Sequence, residues 1–309
     1  VNSAALQVLG DWAEAELDTR AVTLTAPAAV ADDAMYAVVT VVGSPTALAE
    51  NLPNGTEPVR ALRALERTIG TRVRGVLPIN TAGENAVLAL AAAAALGIEL
   101  VDADGCGRVR PTVEDTLFTL AGVEMGPCAV ASPFGETTVL EGTTGRVSEI
   151  VPRLVGASGG WAFFAGYPVT GSELREHANP GTIARYLDAE PGNELAGVAH
   201  RTLLRATITN IEHGPAGSER ISILMTERRV SGSARRIRVD ANEAYLGALA
   251  DGVPLQSPTQ ELFVISESGE VLDPERCLPG MRVDLVAVEL PAAWSVLSDD
   301  TMKVEGNAT

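Results

Sequence analysis

Apolar residues along the first hundred positions come in blocks whose periods differ. YAVVTVV at 36–42 is β-branched and uncharged, closed by Gly43-Ser44-Pro45, and predicts a buried strand. Residues 57–69 predict a helix: Val59, Leu62, Leu65 and Ile69 share one face, Arg60, Arg63 and Arg67 lie off it on a solvated face, and Gly70 ends it. Arg72 to Pro78 predicts the next strand and Ile98 to Val101 another. Between them, Glu84 to Leu96 is a helix with no polar face from Ala86 onward, closed by Gly97. A helix apolar all round must be covered on every side, and a sheet covers only one. The order strand, helix, strand, helix, strand implies parallel strands joined by crossovers.

The pattern changes further along. Residues 201–212, 220–227, 235–240, 261–266 and 281–289 alternate as strands do; in RRIRVD, Ile237 and Val239 face one way and Arg236 and Arg238 the other. SESGE at 266–270 fits a hairpin turn, and 172–187 looks helical but for the break at Asn179-Pro180-Gly181. The expected architecture is an α/β N-terminal domain with a mainly parallel sheet, residues 1–166, followed by a β-rich C-terminal domain, residues 167–309.

Composition narrows the function classes. The 309 residues are 46% hydrophobic, which excludes a disordered chain. The longest apolar run, Ala86–Leu96, is too short for the roughly 20 residues of a bilayer span. The opening residues lack the basic start of a signal peptide, so a cytoplasmic protein without membrane contact is expected. A net charge of −17 opposes nucleic acid. The single lysine, Lys303, disfavours Schiff-base chemistry, and no GK[ST] phosphate loop occurs. Cys106, Cys128 and Cys277 are too few and too scattered for a disulfide framework or structural zinc. No cofactor and no bound metal are expected, and the partner is a small-molecule substrate.

In parallel sheets, ligands bind beyond the carboxyl ends of strands. Three such ends carry polar residues: Gly43-Ser44-Pro45-Thr46; Asn80-Thr81-Ala82-Gly83-Glu84-Asn85, which opens a helix; and VDADGCGRVRP, with Asp102, Asp104 and Arg108. Asp102 and Asp104, two residues apart, share a side of an extended chain. Two close carboxylates can divide the roles of acid and base, and Arg108 can steady an oxyanion. The competing account is a plain turn with Asx hydrogen bonds, neutralised by Arg108. GASGG at 156–160 has the spacing of a nucleophile elbow, but a strand follows Ser158 where the elbow needs a helix. His177, His200 and His213 have no metal spacing, and Cys106 has no local base.

The stretches GENAVLALAAAAALGIEL, VDADGCGRVRP and EDTLFTLAG, in this order, carry a resemblance. Val41 to Leu120 resembles the S-methyl-thiohydantoin desulfurase-like family, and VVGSPTALAENLPNG upstream resembles its glycine-proline-threonine stretch. Downstream, RVDANEAYLGAL, with Asn242-Glu243, PTQELFVIS and LPGMRVDLVAVELPAAW resemble its C-terminal domain. The family usually begins with a glycine-rich segment, whereas this sequence starts at Val1, and Cys106 and Arg110 stand where methionine and phenylalanine are usual. The resemblance implies a two-domain protein related to hydantoinase/oxoprolinase-type enzymes, which open cyclic amides. The expected activity is hydrolysis, by C–N or C–S cleavage, of a hydantoin-like or thiohydantoin ring. Asp102 or Asp104 would activate water, Arg108 would steady the oxyanion, and Thr46, Asn80, Glu84 and Asn85 would bind substrate. The alternative is a non-catalytic binding or scaffolding subunit of a hydantoinase/oxoprolinase-type complex. The apolar helix at 84–96 further calls for a homo-oligomer to cover it.

Overall fold

The structure is a computed structural model and describes residues 3–295 apart from 82, 109–111, 189–194, 196–197, 216–219, 230, 243 and 258. The chain divides into two compact units, Val1–Ala184 and Arg185–Thr309. That division falls beyond the expected position near 166, because the strand running through 166 belongs wholly to the first sheet.

The first unit contains α1 (Ser3–Leu17), β1 (Leu24–Thr25), β2 (Met35–Gly43), α2 (Pro45–Glu50), α3 (Glu57–Ile69), β3 (Val73–Pro78), α4 (Gly83–Leu96), β4 (Glu99–Val101) and β5 (Ala103–Asp104). There follow α5 (Leu117–Leu120), β6 (Cys128–Ala131), β7 (Thr137–Leu140), α6 (Thr144–Ala157), β8 (Trp161–Thr170), α7 (Gly171–His177), β9 (Asn179–Pro180) and α8 (Thr182–Asp188), within which the division between the units falls. Seven strands form one sheet in the order β1-β4-β3-β2-β8-β6-β7. Its β1-β4-β3-β2 half is parallel, and β8, β6 and β7 join antiparallel. The sheet thus has the expected parallel strands, with three antiparallel strands added beside them. Parallel pairing needs long crossovers, which α3 and α4 supply, whereas β6 reaches β7 by the short turn at 132–136.

α3 packs on β8, β6 and β7, and α4 on β2, β3 and β4. Leu62 and Leu65 of α3, Leu88, Ala89, Ala92 and Ala93 of α4, and Ala37, Val39, Trp161 and Phe163 of the strands share one core. Gly70 ends α3 in the left-handed region, as read. The far side of α4 is not left for another subunit. α1 lies along it, with Leu9 buried and Trp12 packed against the same core. The alanines let α1 approach closely, so the coverage the sequence demanded comes from within the chain.

The second unit continues with β10 (His200–His213), β11 (Ile221–Glu227), β12 (Arg236–Ala241), β13 (Tyr245–Ala250), β14 (Val253–Pro254), β15 (Gln260–Ser266), β16 (Val271–Leu272) and β17 (Arg282–Glu289). They form one antiparallel sheet in the order β14-β13-β12-β11-β10-β17-β15-β16. The sheet curls until β13 approaches β15, enclosing Ile208, Ile223, Met225, Val239, Val264 and Leu285. Ile237 and Val239 point inward, and Arg238 reaches Asp240 outside at 3.0 Å. The turn at 266–270 closes β15 onto β16 through Ser266 N–H to the Glu270 carbonyl.

Candidate functional site

Because β4, β3 and β2 are neighbours, the three polar loops read from the sequence leave adjacent carboxyl ends. At the first two, one chain of hydrogen bonds joins the strands to α4. Asn85, in the first turn of α4, donates to the Asn80 side chain at 3.0 Å. Its own carbonyl oxygen accepts from the Thr40 hydroxyl at 2.7 Å and the Val41 N–H at 3.3 Å. Asn80 and Thr40 are buried. The expected pair Asn80 and Asn85 is thus brought together, and Thr40 is a member that the sequence hid: a threonine inside a β-branched run reads as a strand former. Thr46 is exposed and serves the start of α2, its N–H donating to the Ser44 hydroxyl at 3.2 Å. The Glu84 side chain lies outside the described residues.

At the third loop, the Asp104 carboxylate folds back on its own turn. It accepts the Cys106 N–H at 2.8 Å and, closer still, the Gly107 N–H, while Asn179 donates to its second oxygen at 3.3 Å. Gly107 takes φ of +67°, a left-handed conformation that aims its N–H at that carboxylate. Burial is the leading influence on Asp104 and raises its pKa. The Gly107 and Cys106 N–H groups and Asn179 oppose the rise without cancelling it. The Thr182 hydroxyl, buried and outside hydrogen-bonding geometry, lies near enough to act in the same direction.

Asp102 is only half-buried. Its carboxylate accepts the Ala184 N–H at 2.9 Å, capping the first turn of α8, and its carbonyl accepts the Gly181 N–H at 2.8 Å. β5 pairs with β9, Ala103 opposite Pro180 and Asp104 opposite Asn179. Both aspartates therefore reach toward the 179–184 segment, the break that Asn179-Pro180-Gly181 marked in the sequence. Arg108 is half-buried at the end of this turn; residues 109–111, with Arg110, lie outside the described residues.

The turn is held from behind as well. Gly105 N–H donates to the Pro78 carbonyl at 3.1 Å, and Leu117 N–H to the Gly105 carbonyl at 2.8 Å. The Cys106 thiol donates to the Asp115 carbonyl at 3.1 Å. Tyr167, buried and at φ of +47°, shares a 2.8 Å hydrogen bond with Thr119 and donates to the Val113 carbonyl at 2.9 Å. Burial pushes its phenol up to about 12, so it stays neutral.

The remaining candidates have structural places. Ser158 follows α6, and its hydroxyl donates to the Leu154 carbonyl at 2.8 Å. His200 and His213 are exposed at the two ends of β10, and His177 sits in the last turn of α7. Arg60 departs from the solvated face expected of it: it donates to the Ser132 and Glu136 carbonyls and the Thr137 hydroxyl, clamping the β6–β7 turn. Among the described residues, no group of three or more histidine, cysteine, aspartate or glutamate side chains is arranged to hold a metal ion, and no helix is long and apolar enough to cross a membrane.

Comparison with known proteins finds a family likeness within the first unit. Residues 8–142 match the family described as S-Me-THD-like, N-terminal domain. This part of the chain is similar to the S-Me-THD-like N-terminal domain. The match runs from within α1 to the end of β7, and with them covers the DADG turn and the Asn80–Asn85 network. A crystal structure of a protein from Chromobacterium violaceum is similar over 98% of this chain and 91% of its own, with a TM-score of 0.74 at 19% identity; that likeness concerns the fold. No curated protein matches the chain.

Proposed function

We propose that this S-Me-THD-like chain is an enzyme that adds water to a hydantoin-like or thiohydantoin ring. The observation that carries the proposal is the DADG turn of a domain similar to this family, set at the carboxyl ends of adjacent parallel strands. Asp102, half-buried, is the carboxylate with access to solvent; Asp104, fully buried, fixes the turn. In the proposed reaction, Asp102 takes a proton from water and the water oxygen bonds to a ring carbon. Arg108 steadies the resulting oxyanion. For C–N cleavage the ring nitrogen leaves with a proton, giving an open ureido acid. For C–S cleavage of an S-methylated ring, the attacked carbon is doubly bonded to a ring nitrogen, which takes up the charge; the thiolate then leaves with the proton held by Asp102, giving methanethiol and a hydantoin. Asn80 and Asn85 hold the start of α4 beside the ring.

The second reading, a binding or scaffolding subunit of a hydantoinase/oxoprolinase-type complex, is favoured by the Asp104 hydrogen bonds, which commit that carboxylate to structure. A homo-oligomer belongs to either reading. The purified chain should convert hydantoin or S-methylthiohydantoin to ring-opened acid or thiol, measured by mass spectrometry. Asp102→Asn should lower the rate by about a hundredfold with melting temperature little changed. Turnover only after a partner subunit is added would favour the second reading; full activity in Asp102→Asn would remove Asp102 from the mechanism.

A further inference from the structure

At the opposite end of the parallel strands, where α3 ends and β3 begins, a groove of about 590 Å³ is lined by Arg63, Glu66, Arg67, Gly70, Thr71 and Arg72. In a chain of net charge −17, Arg60, Arg63, Arg67, Arg72 and Arg74 crowd one short stretch, and three of them face this groove. Glu66 is the only carboxylate in the lining. It accepts from Arg63 at 2.6 Å and Arg72 at 2.9 Å through one oxygen, and from the Val73 N–H at 3.0 Å through the other. Glu66 thus anchors two guanidinium groups, each of which has further N–H donors to offer. Arg67 is exposed and has no hydrogen-bond or ion-pair partner among the described residues.

We infer that this groove binds a small phosphorylated ligand through Arg63, Arg67 and Arg72. Three guanidinium charges against one carboxylate leave two positive charges. The carboxyl end of α3 carries roughly half a negative charge from its helix dipole, which leaves a surplus of about one and a half. A phosphoryl group, nearly dianionic at neutral pH and a bidentate acceptor for guanidinium, meets that surplus. A monocarboxylate would leave part of it unmet. α3 is 13 residues long, so the groove lies roughly 20 Å along the helix from its DADG-side end, and a ligand there does not compete with the proposed ring substrate.

The test is calorimetric titration of the intact chain with inorganic pyrophosphate, and separately with citrate. Pyrophosphate should bind saturably at one site per chain. Arg67→Ala and Arg72→Ala should each weaken it about tenfold, as expected for loss of a charge-assisted contact. Arg146→Ala, an exposed arginine on α6, should leave binding unchanged. Arg67 has no partner to lose, so its variant should fold as the parent does, which its melting temperature checks. Absence of saturable binding, equal weakening by Arg146→Ala, or citrate binding as tightly as pyrophosphate would each overturn the inference. Activity on cyclic amides is read separately and is unaffected by any of these results.

Discussion

Two carboxylates in the first unit expose little of their own surface and behave in opposite ways, Asp104 deep inside and Glu66 beneath exposed arginines. Asp104 is 1% exposed and Glu66 is 6% exposed. Burial works against ionisation at both. At Asp104 the opposing groups are neutral: two peptide N–H groups, an asparagine amide and a hydroxyl. They do not offset the loss of water, and the pKa ends above its ordinary value. At Glu66 the Arg63 and Arg72 guanidinium groups join the Val73 N–H, and the pKa ends below its ordinary value. Dipoles shape a turn around a buried acid, whereas formal charges keep a buried acid ionised. The DADG turn is thus built to hold geometry, and the Glu66 cluster to hold charge.

The largest effect should come from deleting the buried acceptor at the turn. Asp104→Ala leaves the Cys106 and Gly107 N–H groups without their partner in a buried place, and about 2–4 kcal/mol of stability should be lost, measured by urea unfolding. Since the turn also carries Asp102 and Arg108, activity on a cyclic amide should fall with it. A loss below about 0.5 kcal/mol would show that the turn does not depend on this carboxylate. Glu66→Ala should cost less, about 1–2 kcal/mol. Arg63 and Arg72 are 37% and 75% exposed, so water recovers part of what they lose, and the Val73 N–H is the main orphan. The same variant should tighten pyrophosphate by removing the only negative lining charge. Weaker binding in Glu66→Ala would show that positioning of the arginines outweighs the charge removed.

The sequence made the parallel half of the first sheet readable because each strand there is a β-branched run closed by glycine or proline, and each crossover helix has its own period. Its antiparallel half was harder. CAVA at Cys128–Ala131 and TTVL at Thr137–Leu140 are too short to show alternation, so only the long strand at 161–170 stood out. The segment of α1 carries no apolar period strong enough to announce a helix, so α4 by itself has the pattern of a subunit interface. At the site, the neighbouring carboxyl ends of β2, β3 and β4 could be read because they follow from strand order. Pairing of Asp102 and Asp104 with Ala184 and Asn179 could not, since no local pattern links positions some eighty residues apart. The two accounts of DADG, catalytic pair or Asx turn, are also separated only by coordinates: Asp104 makes the Asx-type bonds, and Asp102 retains exposure. In the second unit, alternation in strands such as β12 made the long strands legible, but not that the sheet curls until β13 meets β15.

The smallest effects are the most specific, and they come from conservative amides compared across pH. Asn at 104 can still accept the Cys106 and Gly107 N–H groups, and Gln at 66 can still accept from Val73, so neither variant should lose much at its best pH. For Asp104 the folded pKa is raised. Its contribution to stability is therefore fully present below the ordinary value of 3.8 and is lost as pH rises through the folded value. For Glu66 the folded pKa is lowered. Its contribution is present above the ordinary value of 4.5 and is lost as pH falls through the folded value. Relative to the parent, Asp104→Asn should therefore gain ground as pH is raised, while Glu66→Gln should gain ground as pH is lowered. Urea midpoints of the parent and both variants, between about pH 3 and pH 8, should give two difference curves of opposite slope. Curves of the same slope would mean that the peptide N–H groups hold the Asp104 charge as firmly as the arginines hold that of Glu66.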